Sequence, residues 1–117
     1  MHSIFVSFDI DGTLEVGDPP GPLSLDVVRL AKNLGYVVGS ASDRTVSFQQ
    51  RMWDAAEIDV DFVGHKHHLA DIISRFECDR HIHIGDTDVD RYYANLAGVE
   101  FHFVDKVPSA GTEGWIF

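Results

Sequence analysis

Short apolar runs that alternate with helical patterns constrain this chain more than any other feature. Runs rich in Val, Ile and Phe begin near Ser3, Tyr36, Asp61, His81 and Glu100. Runs of this kind read as strands buried on both faces. Between them, apolar residues recur at helical spacing from Ser24 to Leu34, Val46 to Ala56, Leu69 to Phe76 and Val89 to Ala97. Ser24 reads as an N-cap with Asp26 in the first turn, and Gly35 and Gly98 read as helix stops. Strict alternation with short connections predicts an α/β fold, a three-layer Rossmann-like arrangement with a parallel five-stranded sheet.

The first run ends abruptly in Asp9, Ile10, Asp11, Gly12 and Thr13. Two carboxylates at the end of a buried strand add nothing to packing. Ligand sites in open α/β sheets lie outside the carboxyl ends of the strands, so the two acids read as a metal-and-catalysis pair. Other strand ends bring Ser42 (or Ser40), Lys66, and Asp86 with Asp90 to the same edge. Converging carboxylates repel unless a cation joins them. Mg²⁺ suits such a site, because it takes a few carboxylate oxygens together with water and phosphate.

Composition narrows the partners. The 117 residues suit one domain over residues 1–117, with an apolar fraction of 44%. Nineteen acids against nine Lys and Arg give a formal charge of −10. That opposes general affinity for nucleic acid or an anionic membrane, but an acidic site still binds phosphate through a divalent cation. Cys78 is the only cysteine, which excludes an intrachain disulfide and fits a reducing, cytoplasmic setting. Asp9 and Asp11 interrupt the first apolar run too early for a signal peptide. No apolar stretch approaches the ~20 residues that span a bilayer.

Taken together, these segments resemble the haloacid-dehalogenase-like superfamily over essentially the whole chain. FDIDGTL is similar to its first motif, VVGSASDRT to its second and GDTDVD to its fourth, and Lys66 stands in the place of the third-motif lysine. His67 follows Lys66 where the family usually has proline. The resemblance implies a Mg²⁺-dependent phosphatase. Asp9 is then the nucleophile that forms an aspartyl-phosphate, and Asp11 is the general acid/base, its pKa raised by neighbouring carboxylates. Ser42 and Lys66, with Gly12, hold the phosphate, Ser40 being the alternative hydroxyl. Asp9, Asp11 through its carbonyl, and Asp86 ligate the metal, with Asp90 a further acid beside it. The expected strand order is 5-4-1-2-3.

The segments between Asp11 and Ser42 and between Ser42 and Lys66 are too short for the cap domain that members often insert. A capless site faces solvent, so the expected partner is a large phosphorylated substrate, or the site borrows a lid within a homo-oligomer. Two other readings compete: a non-catalytic domain that binds metal or a partner, and a phosphoacceptor receiver-like signalling domain. The receiver's acceptor aspartate sits on the third strand, whereas here that strand runs into Gly64, His65 and Lys66. A phosphotransferase or mutase of the same superfamily is disfavoured, because it needs a cap to exclude water.

Other residues receive structural readings. Arg44 is expected as a salt-bridge partner and Asp88 as a solvated acid at a helix start. His65, His67 and His68 read as a solvated loop, lacking Cys partners or an i, i+4 His pair. His81 and His83 share one strand face under a helix. Trp53 is placed at the edge of its helical stripe. Trp115, Ile116 and Phe117 are expected to tuck against the body, or Trp115 to mark an oligomer contact.

Overall fold

A computed structural model describes residues 3–107, so the expectation for Trp115, Ile116 and Phe117 lies outside the described residues. Five strands, β1 (Ile4–Phe8), β2 (Val37–Ser42), β3 (Phe62–His65), β4 (Arg80–Gly85) and β5 (Glu100–Phe103), form one parallel sheet in the order β3-β2-β1-β4-β5. This is the expected order read from the other edge. Four helices connect them: α1 (Leu25–Asn33), α2 (Val46–Ala55), α3 (Leu69–Ser74) and α4 (Asp88–Ala97).

The sheet steps outward from β1 to β3 and then reverses, placing β4 on the other side of β1. Right-handed crossovers therefore put helices on both faces. Val6, Phe8, Val38, Ile82 and Ile84 pack with α1 and Trp53 on one side. Phe5, Ala41 and Phe62 pack with Leu69, Ile72 and Ala94 on the other, and the rings of Phe5 and Phe62 stack at 4.7 Å. No helix among the described residues is long and apolar enough to cross a membrane.

The helix ends follow local chemistry. Ser24 caps α1 by accepting from the Asp26 N–H, and Thr45 caps α2 by accepting from the Phe48 N–H. Gly98 closes α4 at a φ of 72°, where a side chain would be strained. One expectation fails in α2. Trp53 is fully buried, not at the edge, because its indole N–H donates to the Ser40 hydroxyl at 2.9 Å beneath the helix. Gln49, one turn earlier, is buried beside it and ties the layer together, donating to the carbonyls of Arg44 and Gly64.

Candidate active site

The order reversal opens a crevice between the carboxyl ends of β1 and β4, the general location for ligands in such sheets. The ladder continues one residue past β1, where the Asp9 N–H donates to the Ile84 carbonyl at 2.9 Å. Asp9 is therefore set by the sheet itself, not by a loose loop. The chain then turns sharply, with Gly12 at a φ of 73°. A Cβ at Gly12 would overlap the Asp86 carboxylate, so glycine is what admits that carboxylate to the crevice. A Cβ at Gly85 would likewise strike the Asp90 carboxylate.

One carboxylate oxygen from each of Asp9, Asp86 and Asp90 lies within 4.8 Å of the others. Lys66, from a 3-10 turn over Lys66–His68, is buried among these acids. Its ammonium is 3.1 Å from Asp90, 3.4 Å from Asp9 and 3.6 Å from Asp43. Burial alone would lower its pKa, but the charges of Asp9 and Asp90 outweigh that and raise it. For Asp9 burial wins: desolvation, then the Asp90 charge, push the carboxyl up to about 8 against the pull of Lys66. One ammonium does not neutralise so many acids. Hard carboxylate oxygens gathered this closely, one of them in a cradle only glycine leaves open, fit Mg²⁺ well.

Asp90 is held from four directions. Its Oδ1 faces Lys66 and, at 3.0 Å, the ring of His83, while its Oδ2 accepts from the Thr87 hydroxyl at 2.9 Å and the Thr87 N–H at 3.3 Å. Burial opposes its ionisation, yet His83 and Lys66 hold it down at about 2. With its oxygens so occupied, Asp90 orients Lys66 as much as it offers a ligand. His83 continues the network to Ser7, whose hydroxyl lies 2.6 Å from Nδ1, and Ser7, His83 and Asp90 are all fully buried. This relay is absent from the sequence reading beyond the shared face of His81 and His83. Its signal was available: Ser7 and His83 are polar residues facing each other on adjacent buried strands.

Asp11 departs from expectation. Its carboxylate accepts from Arg44 at 2.7 and 3.2 Å and from the Asp18 N–H at 2.8 Å. Slight burial would raise its pKa, but these donors outweigh it and lower it. The expected upward shift is thus corrected: an arginine, not another acid, is its nearest charged partner. The Arg44 guanidinium also lies over the Phe48 ring at 4.8 Å, so the expectation of a salt-bridge partner holds.

The two serine alternatives separate. Ser40 donates to Gln49 at 2.6 Å and accepts from Trp53, so the helix layer consumes it. Ser42 stands at the end of β2 and accepts from the Arg44 N–H at 3.0 Å. No acceptor among the described residues takes its hydroxyl proton. Gly12 provides space rather than a donor, since its N–H is bonded to the Pro19 carbonyl at 2.7 Å. Asp9, Asp11, Asp43, Lys66, Asp86 and Val89 line an open cleft of about 250 Å³. Only a loop and α1 separate β1 from β2, and only α2 and β3 lie between β2 and Lys66, which leaves the cleft uncapped. Asp88 is exposed and pairs with Arg91, as expected of a solvated acid.

A scan of family models finds no match, and searches of curated proteins and of solved structures return none either.

Proposed function

We propose that this chain is a Mg²⁺-dependent phosphomonoesterase of the haloacid-dehalogenase type, acting through an aspartyl-phosphate on Asp9. The observation that carries this reading is a buried nucleophile candidate fixed by the sheet at the strand reversal, with Lys66 at 3.4 Å and the Asp86 carboxylate admitted over Gly12. Mg²⁺, when bound by Asp9 and Asp86, would favour the ionised Asp9 carboxylate that attacks and would supply neutralisation of the phosphoryl oxygens.

The chain's own residues then divide the work. Lys66 and the Ser42 hydroxyl hold the phosphoryl oxygens. An Asp9 oxygen attacks phosphorus as the bond to the leaving oxygen breaks, and Asp11 gives that oxygen a proton. Water next attacks phosphorus, its proton returns to Asp11, and phosphate departs with the Asp9 carboxylate restored. Asp11 must first take up a proton, so Arg44 has to release it, and an arriving phosphate dianion is a stronger partner for that guanidinium. The open cleft suits a substrate whose phosphate projects from a larger body. The lone Cys78 accords with a cytoplasmic setting.

One observation favours a second reading, a metal-binding domain without turnover: Asp11 is held as a carboxylate by Arg44 and Asp18. A receiver-like domain is less compatible, since receivers order their strands 2-1-3-4-5 whereas β1 here lies between β2 and β4. Phosphate release from a broad phosphomonoester panel, with Mg²⁺ and with chelator, tests the proposal. Turnover that needs Mg²⁺ and vanishes in Asp9→Asn supports it. Mg²⁺ binding without turnover on any ester, large substrates included, moves the weight to the second reading.

A further inference from the structure

We infer that His65, His67 and His68 form a second metal site, selective for a divalent first-row transition ion and separate from the carboxylate cleft. The sequence predicts a solvated loop for these residues, but the fold does not leave them apart. β3 ends at His65, and the 3-10 turn over Lys66–His68 follows at once. Lys66 turns inward to the acids. The three imidazoles gather, with one ring nitrogen from each within 4.8 Å of the others. The rings of His67 and His68 are 4.1 Å apart, and those of His65 and His67 lie nearly parallel at 5.2 Å.

What distinguishes this cluster is its lack of partners. Asp90, Asp11 and His83 each have several bonded contacts, whereas none of the three imidazoles makes a hydrogen bond or ion pair with any described residue. Three ring nitrogens therefore lie close together with no hydrogen-bond partner among the described residues. Imidazole nitrogen suits Zn²⁺, Cu²⁺ or Ni²⁺, whereas Mg²⁺ prefers oxygen. Zn–N bonds of about 2.0–2.1 Å require donors roughly 3.3 Å apart in a tetrahedron. His67 and His68 are exposed, so their rings can rotate inward without disturbing the core. Three histidines would leave the fourth position to water.

The location has a consequence for the cleft. Lys66 lies between two of the ligands in the chain, so an ion on these rings would brace the turn that delivers the ammonium to Asp9 and Asp90. The inference does not depend on the phosphatase reading.

Zn²⁺ titration by calorimetry, in buffer saturated with Mg²⁺, tests it on three proteins: wild type, His67→Ala/His68→Ala, and Asp9→Asn/Asp86→Asn. The expected result is one Zn²⁺ bound by wild type and by the aspartate variant. The histidine variant should bind more weakly by more than the ~10–100-fold that loss of a supporting outer-shell group costs. Zn²⁺ should also raise the melting temperature of wild type and of the aspartate variant, and not of the histidine variant. Circular dichroism checks that the exposed histidine changes leave the fold intact. No Zn²⁺ binding to wild type, undiminished binding in the histidine variant, or loss confined to the aspartate variant would each overturn the site.

Discussion

Strand β4 begins and ends in a charged cluster, and the two clusters hold a carboxylate at about the same pKa by opposite routes. At its start, Arg80 grips Glu100 of the edge strand β5 with two bonds of 2.7 Å, and His102 adds a third at 2.9 Å. Glu100 is lowered to about 2, chiefly by the Arg80 hydrogen bonds, with burial the next influence and opposing them. At its end, His83 faces Asp90, which also sits at about 2, but there burial is the largest influence and works against the charge. The first cluster is part-exposed, so water already solvates the carboxylate and the arginine adds little. The second excludes water, so every partner is needed. Equal pKa values thus conceal unequal stakes, and chemistry that needs a fixed, desolvated ammonium is possible only at the buried end.

The comparison is broken most directly by removing one cation from each end. Lys66→Met removes the buried ammonium that partners the Asp90 carboxylate and should cost about 3–5 kcal/mol in urea unfolding at neutral pH. Arg80→Met, at the exposed pair, should cost no more than about 1 kcal/mol. Equal losses would mean that burial does not separate the two ends.

Asp9 sharpens the contrast through pH. Its pKa is raised from 3.8 to about 8, so its stabilising contribution is complete below 3.8 and is lost as pH rises to about 8. Without divalent cations, Asp9→Asn should gain stability over wild type across that window, with a slope of up to about 1.4 kcal/mol per pH unit. Denaturant midpoints against pH in chelator measure this. Added Mg²⁺, by favouring the carboxylate, should narrow the gap, and a pH-independent difference would show that Asp9 does not carry the strain.

Thr87→Val removes the hydroxyl that caps α4 and bonds Asp90, with an expected loss of about 1 kcal/mol. A matching change at an exposed cap, Ser24→Ala, should cost similarly while leaving the proposed Mg²⁺ binding at the cleft unchanged. The smallest effect belongs to Glu100. Its stabilising contribution is present above its ordinary 4.5 and is lost as pH falls toward about 2. Glu100→Gln should flatten that part of the acid-unfolding profile only slightly, and salt should mask it.

Much of the architecture was legible because local signals agreed. Ser24 and Gly98 mark helix ends by their own chemistry, and the apolar runs are too short for helices yet regular in spacing. The acids were legible because Asp9 and Asp11 follow a buried strand with no structural reason to be there. What escaped depends on pairings across the chain. Arg44 meets Asp11 from 33 positions away, which reverses the expected direction of the Asp11 shift. Trp53 is expected at the edge of its helical stripe, but Ser40 on β2 accepts its indole N–H and donates to Gln49, so this side of α2 is buried. The three histidines meet only because β3 passes directly into a tight turn, which no spacing rule for helices anticipates.

The Asp90 carboxylate is at once the reciprocal cap of α4, bonding Thr87, and the anchor of Lys66. The first turn of that helix and the charge geometry of the cleft therefore belong to one cooperative unit. Whenever the turn frays, the ammonium loses its seat at the same moment. Amide hydrogens at the start of α4 thus report on the integrity of the cleft, and their exchange rate is a clock for how often the site comes apart.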